Sequence, residues 1–344
     1  MTQISLKNIP NELLSKFQIQ SGVNKEFENI FNKIKKSNKK NISLLFIEIE
    51  VLNNLIYSNF GYDICYDIRY WNLKCNTNFL SLDLSKNNIY ELPEILGKIN
   101  VIGTLNLSYN QLKKLPKNFG DIIVGGDLNL SYNQLRTLPK SFEKIVVGGK
   151  LDLCCNEIRT LPKSFGKNTV IGGDLDLSYN ELSTLPKSFS EIIVGCCIFL
   201  HYNIISTLPK KFGGTKEKPF HIKGNLYIHN NILNILPKSF KYLKVEKTLD
   251  LTNNKLITLP NNFGNNLICE NLYLSNNQII TLPYDFCKIN IKYILDLSHN
   301  QISKLPKSFC EIRLKGDLDL SYNKIIKLPN DIGKLNWKYF RFIL

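Results

Sequence analysis

Residues Leu105–Phe119 read LNLSYNQLKKLPKNF, and residues Leu128–Phe142 read LNLSYNQLRTLPKSF. A chain that rewrites a segment at a fixed offset builds one local structure repeatedly, and its fold is decided by how the copies stack. With the Asn of each LxLxxN as the mark, the motif recurs at Asn87, Asn110, Asn133, Asn156, Asn180, Asn203, Asn231, Asn254, Asn277, Asn300 and Asn323. Ten intervals separate these eleven marks: eight of 23 residues, one of 24 and one of 28. That regularity predicts a solenoid rather than a chain wrapped around one central core.

Every unit has the same internal logic. Apolar residues stand five and three before the Asn, as Leu128 and Leu130 before Asn133, with polar residues between them. This is a short strand of period two, buried on one face and wet on the other. Leu135 follows two after the Asn, Leu138–Pro139 five and six after, and a Phe nine after in nine units, from Phe119 to Phe309. Proline fixes φ and lacks a backbone donor, so it suits an irregular turn. The return segment, with Ile122, Val124 and the Gly125–Gly126 pair in one unit, predicts an extended or tightly turned back with little α-helix. The Asn falls in the turn between strand and return, where its amide can satisfy buried backbone groups, and stacked copies form a ladder.

These features resemble the leucine-rich repeat over about residues 77–336. The 23-residue period with its Leu-Pro resembles the intracellular type. The VGGDLDLSYN lead-in is similar to repeats from low-GC genomes, giant DNA viruses of amoebae among them. The resemblance implies an α/β solenoid: a curved right-handed horseshoe of about eleven repeats, with one parallel strand each and a concave face that binds a protein or peptide. Glycine often stands at the back where the family has an apolar residue, which argues against a helical convex side.

Residues 1–76 do not follow the period. NELLSKFQ, KEFENIFNKIKK and SLLFIEIEVLNNLIYSNF carry apolar residues at three- and four-residue spacing, which predicts a helical N-terminal cap closing the end of the solenoid. LKNIPNELLSKF, Leu6–Phe17, also resembles the opening of an F-box. That resemblance implies a ubiquitin-ligase adaptor as partner and a substrate-receptor role. The Cys–Arg–Trp-like stretch of that domain is absent at the right distance, because Trp71 comes too late. Residues 337–344, with Trp337, Tyr339, Phe340 and Phe342, predict an aromatic tail folded over the last coil.

Of the 344 residues, 43% are apolar and 21% charged, as in an ordinary soluble protein. No apolar run approaches the roughly 18 residues of a membrane span, and the N-terminus shows no basic-then-apolar leader. A cytoplasmic monomer is expected, in the host cytoplasm for a viral source. Nine cysteines, an odd number without any CxxC, predict reduced, mostly buried fillers. The net charge of +15 raises nucleic-acid binding as an alternative, through a column formed by Lys117, Lys140, Lys163, Lys187, Lys210, Lys238 and Lys307. Yet only Arg69, Arg136, Arg159, Arg313 and Arg341 among the 44 basic residues are arginine, the residue favoured for bidentate phosphate and base recognition. Codon bias towards lysine, asparagine and isoleucine is the competing cause of the charge.

No nucleotide-binding, zinc-protease or nucleophile-elbow motif is present, and the four histidines, His201, His221, His229 and His299, offer little acid–base chemistry. The chain reads as a non-enzyme without cofactor or metal. His201 and His229 share a column, two before the Asn, and Cys197 lies on the same face; a metal site is conceivable there, but no third ligand is fixed by the repeat.

The wet face carries the binding candidates. Most units place Asp or Asn four before the mark, whereas the sixth and seventh place Phe199 and Tyr227 there. His201, Tyr202 and His229 adjoin them, Tyr179 and Tyr273 extend the set, and Asp176 and Asp250 flank it. An aromatic centre with a charged rim predicts a partner-binding site. The 28-residue interval predicts a surface loop within KKFGGTKEKPFHIKGN, with Lys216–Phe220 dispensable for folding.

Overall fold

The computed structural model describes residues 78–343, apart from positions 80, 93, 99, 266 and 336. The expected helical cap and the F-box-like start at 1–76 lie outside the described residues. Among the described residues, the helical elements are short 3-10 turns and the rest is strand and turn.

Successive units align in parallel. The front sheet takes one strand per unit, beginning with Leu82–Asp83, Leu105–Asn106, Leu128–Asn129, Leu151–Asp152, Leu175–Asp176, Ile198–Phe199 and Leu226–Tyr227. Its register pairs each residue with its repeat equivalent, as Leu175 with Ile198 and Asp176 with Phe199. The inward Leu and Ile of these strands are wholly buried, Leu128, Leu130, Leu175 and Leu177 among them. A twelfth front strand, Phe340–Arg341, pairs with Asp317–Asp319. The aromatic tail therefore continues the sheet and packs Trp337 on Phe340 at 4.8 Å between ring centroids.

The sequence reading expected one strand per unit, but the back is a second parallel sheet. Its strands include Asn100–Val101, Ile123–Val124, Val146–Val147, Val170–Ile171 and Ile193–Val194. The glycine pair explains how it approaches so closely. A Cβ added at Gly172 would lie 2.0 Å from the Gly148 carbonyl oxygen, and one at Gly195 only 1.7 Å from that of Gly172. Where Cys269–Glu270 and Lys292–Tyr293 replace the pair, the strand continues through it with a shift of register between Cys269 and Asn271. Ile268–Tyr273 and Asn290–Asp296 are continuous strands that join back to front.

Between the sheets, nine phenylalanines form a column from Phe119 to Phe309, with centroids 5.8 to 6.5 Å apart. The long interval corrects one expectation. Thr215–Lys218 is a surface turn closed by the Gly214–Pro219 bridge, but Phe220 is buried and meets Phe212 and Phe189 edge-on at 5.8 and 6.4 Å. Phe220 is core because it occupies the place of Ile122, eleven before the Asn.

Candidate functional site

The turn asparagines fix the framework on which the site stands. In Asn180, Nδ2 donates to the carbonyls of Leu153, Leu177 and Ser178, while Oδ1 accepts from the Ile158 N–H at 3.0 Å. The same links recur from Asn110 to Asn323, each reaching back into the preceding unit. Asn87 is half-buried and its backbone N–H is held by Asn110 Oδ1. The residue before each of these asparagines has a left-handed backbone, with φ of 51 to 57° from Lys86 to Tyr322.

On the front strands, the polar residue four before the Asn turns back on its own unit. Asp176 Oδ1 accepts from the backbone N–H and hydroxyl of Ser178 at 3.1 and 2.6 Å. Asn106, Asn129, Asp296 and Asp319 hold Ser108, Ser131, Ser298 and Ser321 likewise. Much of the acidic column is thus engaged in local structure.

The sixth and seventh units break this pairing at both positions at once. Phe199 and Tyr227 replace the carboxylate, and His201 and His229 replace the serine. Strand register sets these four side chains side by side. The Phe199 and Tyr227 rings stack at 5.3 Å, and the His201 and His229 rings stack at 4.6 Å. Edge contacts tie the two pairs together, with His201 6.0 Å from Phe199 and 6.2 Å from Tyr227. Tyr179 stacks on Tyr202 at 4.4 Å, and both meet His201 edge-on. Tyr273 does not join this cluster, because Asp250 lies between it and Tyr227 in the register.

Charge frames the rings. His229 Nδ1 lies 3.2 Å from Asp250 Oδ2. Burial raises the Asp250 pKa, but the contact with His229 and the bonds from Thr252 outweigh it and leave the carboxyl below its usual value. Burial, aided by the neighbouring His229, lowers the pKa of His201, whose Nδ1 is buried without a hydrogen-bond partner. Burial also raises the phenol pKa of Tyr227 and of Tyr273.

One member escaped the sequence reading. Lys150 Nζ bridges Asp152 and Asp176 at 2.9 and 3.0 Å and lies 6.0 Å from the Phe199 ring centroid. Burial opposes its charge, but the two carboxylates prevail and raise its pKa. Its signal was a lysine six before the Asn, where Asp127 and Asp174 stand in other units. The lysine column from Lys117 to Lys307 is exposed throughout and lies on the turns after the Leu-Pro, with Lys140, Lys238 and Lys307 opening 3-10 segments, away from these strands.

The Leucine Rich Repeat family model matches residues 247–266 and 293–312. No curated protein matches the chain in sequence. Among solved structures, a chain of the glycosylated Toll–Spatzle complex of Drosophila is 23% identical, with a TM-score of 0.62 over 76% of this chain and 37% of its own. The other form of that complex gives 22% identity, a TM-score of 0.54 and coverages of 71% and 38%. A leucine-rich repeat protein from Bacteroides eggerthii is 21% identical, with a TM-score of 0.52 and coverages of 72% and 44%. The chain therefore spans less than half the length of each. These likenesses establish the fold, which commonly mediates protein–protein interaction.

Proposed function

We propose that this chain, being a leucine-rich-repeat protein, is a non-enzymatic scaffold that captures a protein or peptide partner on the middle of its front sheet. The observation that carries this reading is the joint replacement of carboxylate and serine by stacked rings in two adjacent units. Solvation of a strand gives no reason for an aromatic pair on its wet side, and the Asp–Ser link that serves other units is given up to make room. Rings already packed on one another need little ordering when a partner covers them, which favours affinity. Asp250 stays ionised at one border, whereas at the other the single Lys150 charge is shared between Asp152 and Asp176 and offsets half of theirs. The partner therefore presents an apolar anchor to Phe199 and Tyr227, with a basic group towards Asp250. A chain similar in fold belongs to the Toll–Spatzle complex, which accords with a protein ligand. A cytoplasmic setting fits the free cysteines.

Proximity labelling with the full chain in its native cell, repeated with Phe199→Ser/Tyr227→Ser, tests this reading. The double variant should keep its circular dichroism and lose the proteins that the unaltered chain labels. Labelling that survives this change but disappears when Lys117, Lys140, Lys163 and Lys187 are neutralised would refute it.

A further inference from the structure

Just before the sixth front strand, the usual Gly-Asp is replaced by Cys196–Cys197. Strand register places Asp174 of the preceding unit beside Cys197, whose backbone N–H donates to Asp174 Oδ1 at 2.8 Å. The two sulfurs are 3.5 Å apart, and one ligand atom from each of Asp174, Cys196 and Cys197 lies within 4.8 Å of the others. We propose that Asp174, Cys196 and Cys197 bind a thiolate-seeking divalent ion of the zinc type, leaving one coordination position open. This site is independent of the partner-binding reading.

Geometry supports the assignment in three ways. Zinc–sulfur bonds of about 2.3 Å in a tetrahedron set the sulfurs about 3.8 Å apart, so the present separation needs only a slight opening. Two thiolates with one carboxylate are a donor set suited to zinc and unsuited to magnesium or calcium. The Asn225 backbone N–H and Nδ2 both point at Cys197 Sγ, at 3.3 and 3.7 Å. Such donors orient and stabilise an anionic sulfur better than a neutral thiol. Gly224 leaves room for that sulfur, since a Cβ there would stand 2.6 Å from it. Cys197 is buried and Cys196 half-exposed, so an ion enters from the Cys196 side.

The other carboxylate–thiol group among the described residues, Asp152, Cys154 and Asp176, differs in one respect. Its carboxylates already hold the Lys150 ammonium, which fills the place of a cation. Asp174, by contrast, makes no ion pair among the described residues, since the neighbouring Lys150 is turned to Asp152 and Asp176. Because a metal takes cysteine as the thiolate, binding weakens as the pH falls.

The test is a titration of the full-length, reduced and chelator-stripped protein with Co²⁺, followed by competition with Zn²⁺. One equivalent should bind with thiolate-to-cobalt absorption and the visible bands of tetrahedral cobalt. Cys196→Ser leaves the Cys197 sulfur and its ladder bonds in place, and Asp174→Asn keeps the acceptor for the Cys197 N–H, so both should fold. Each should weaken binding by more than about tenfold, the least that losing even an outer partner of a metal site costs. Cys154→Ser should bind as the parent does. Absence of thiolate absorption, or unchanged binding in Cys196→Ser and Asp174→Asn, would overturn the proposal.

Discussion

Replacing Asn180 by Ala isolates one bond of the ladder. The three carbonyls that Asn180 serves each keep another donor. Leu153 O retains Asn156 Nδ2, Leu177 O retains Asn203 Nδ2, and Ser178 O retains the Cys155 N–H. The Ile158 N–H is different. Asn180 Oδ1 is its acceptor, and Ile158 is wholly buried. The substitution thus orphans one donor that water cannot reach, which costs about 1–3 kcal/mol. In a stacked array the loss is felt mainly by nearest neighbours. Urea unfolding should register the destabilisation, and native-state hydrogen exchange should show the Ile158 amide losing protection ahead of amides several units away. Lys187→Ala, on an exposed position, serves as control and should change neither. If Asn180→Ala and Lys187→Ala lower stability equally, or Ile158 keeps its protection, the account of the ladder is wrong.

Two further predictions follow from burial. The folded state lowers the pKa of His201 below its usual 6.5, so the unfolded chain takes up the proton first. The stability from keeping His201 neutral is present above about pH 6.5 and is lost as the pH falls towards the folded value. The melting temperature should decline over that window and decline less in His201→Gln; equal slopes would refute it. Phe220→Ala should cost about 3–5 kcal/mol, the usual loss for a buried ring, whereas shortening Lys216–Lys218 should leave the melting transition nearly unchanged. Equal effects of the two changes would show that the turn, too, is part of the core.

The positions that answer to the repeat were the legible ones. Asn110 to Asn323, the Phe column and the inward leucines each follow from a fixed place in the unit and the rule that like stacks on like. Phe220 was misread because the glycine-rich, charged stretch before it looks like loop; counting back from Asn231 puts it in the place of Ile122. The back sheet was half legible, since Ile123–Val124 reads as extended, but pairing between units depends on how closely glycine backbones approach. Phe199, Tyr227, His201 and His229 stood out as departures from the repeat. Lys150 did not, because its meaning lies in carboxylates on two strands, 2 and 26 residues onward. The grouping of Asp174 with Cys196 and Cys197 was hidden for the same reason.

The left-handed position before each Asn has a consequence for orientation. Asparagine tolerates that backbone better than most residues, and Asn230, Asn253 and Asn276 occupy it in three consecutive units, with Asn253 Nδ2 donating to Asn230 Oδ1 at 2.9 Å. Earlier units place Tyr109, Tyr132, Tyr179 and Tyr202 there and stack them in pairs, the first at 4.3 Å. Along one rim the surface thus changes from oily plates to an amide ribbon that water wets well, and then to the stacked His299 and Tyr322. A ligand lying along the axis meets a different chemistry at each end. Turning it end for end would set its apolar side chains against amides, so the rim gives the solenoid a polarity that the near-identical units do not have.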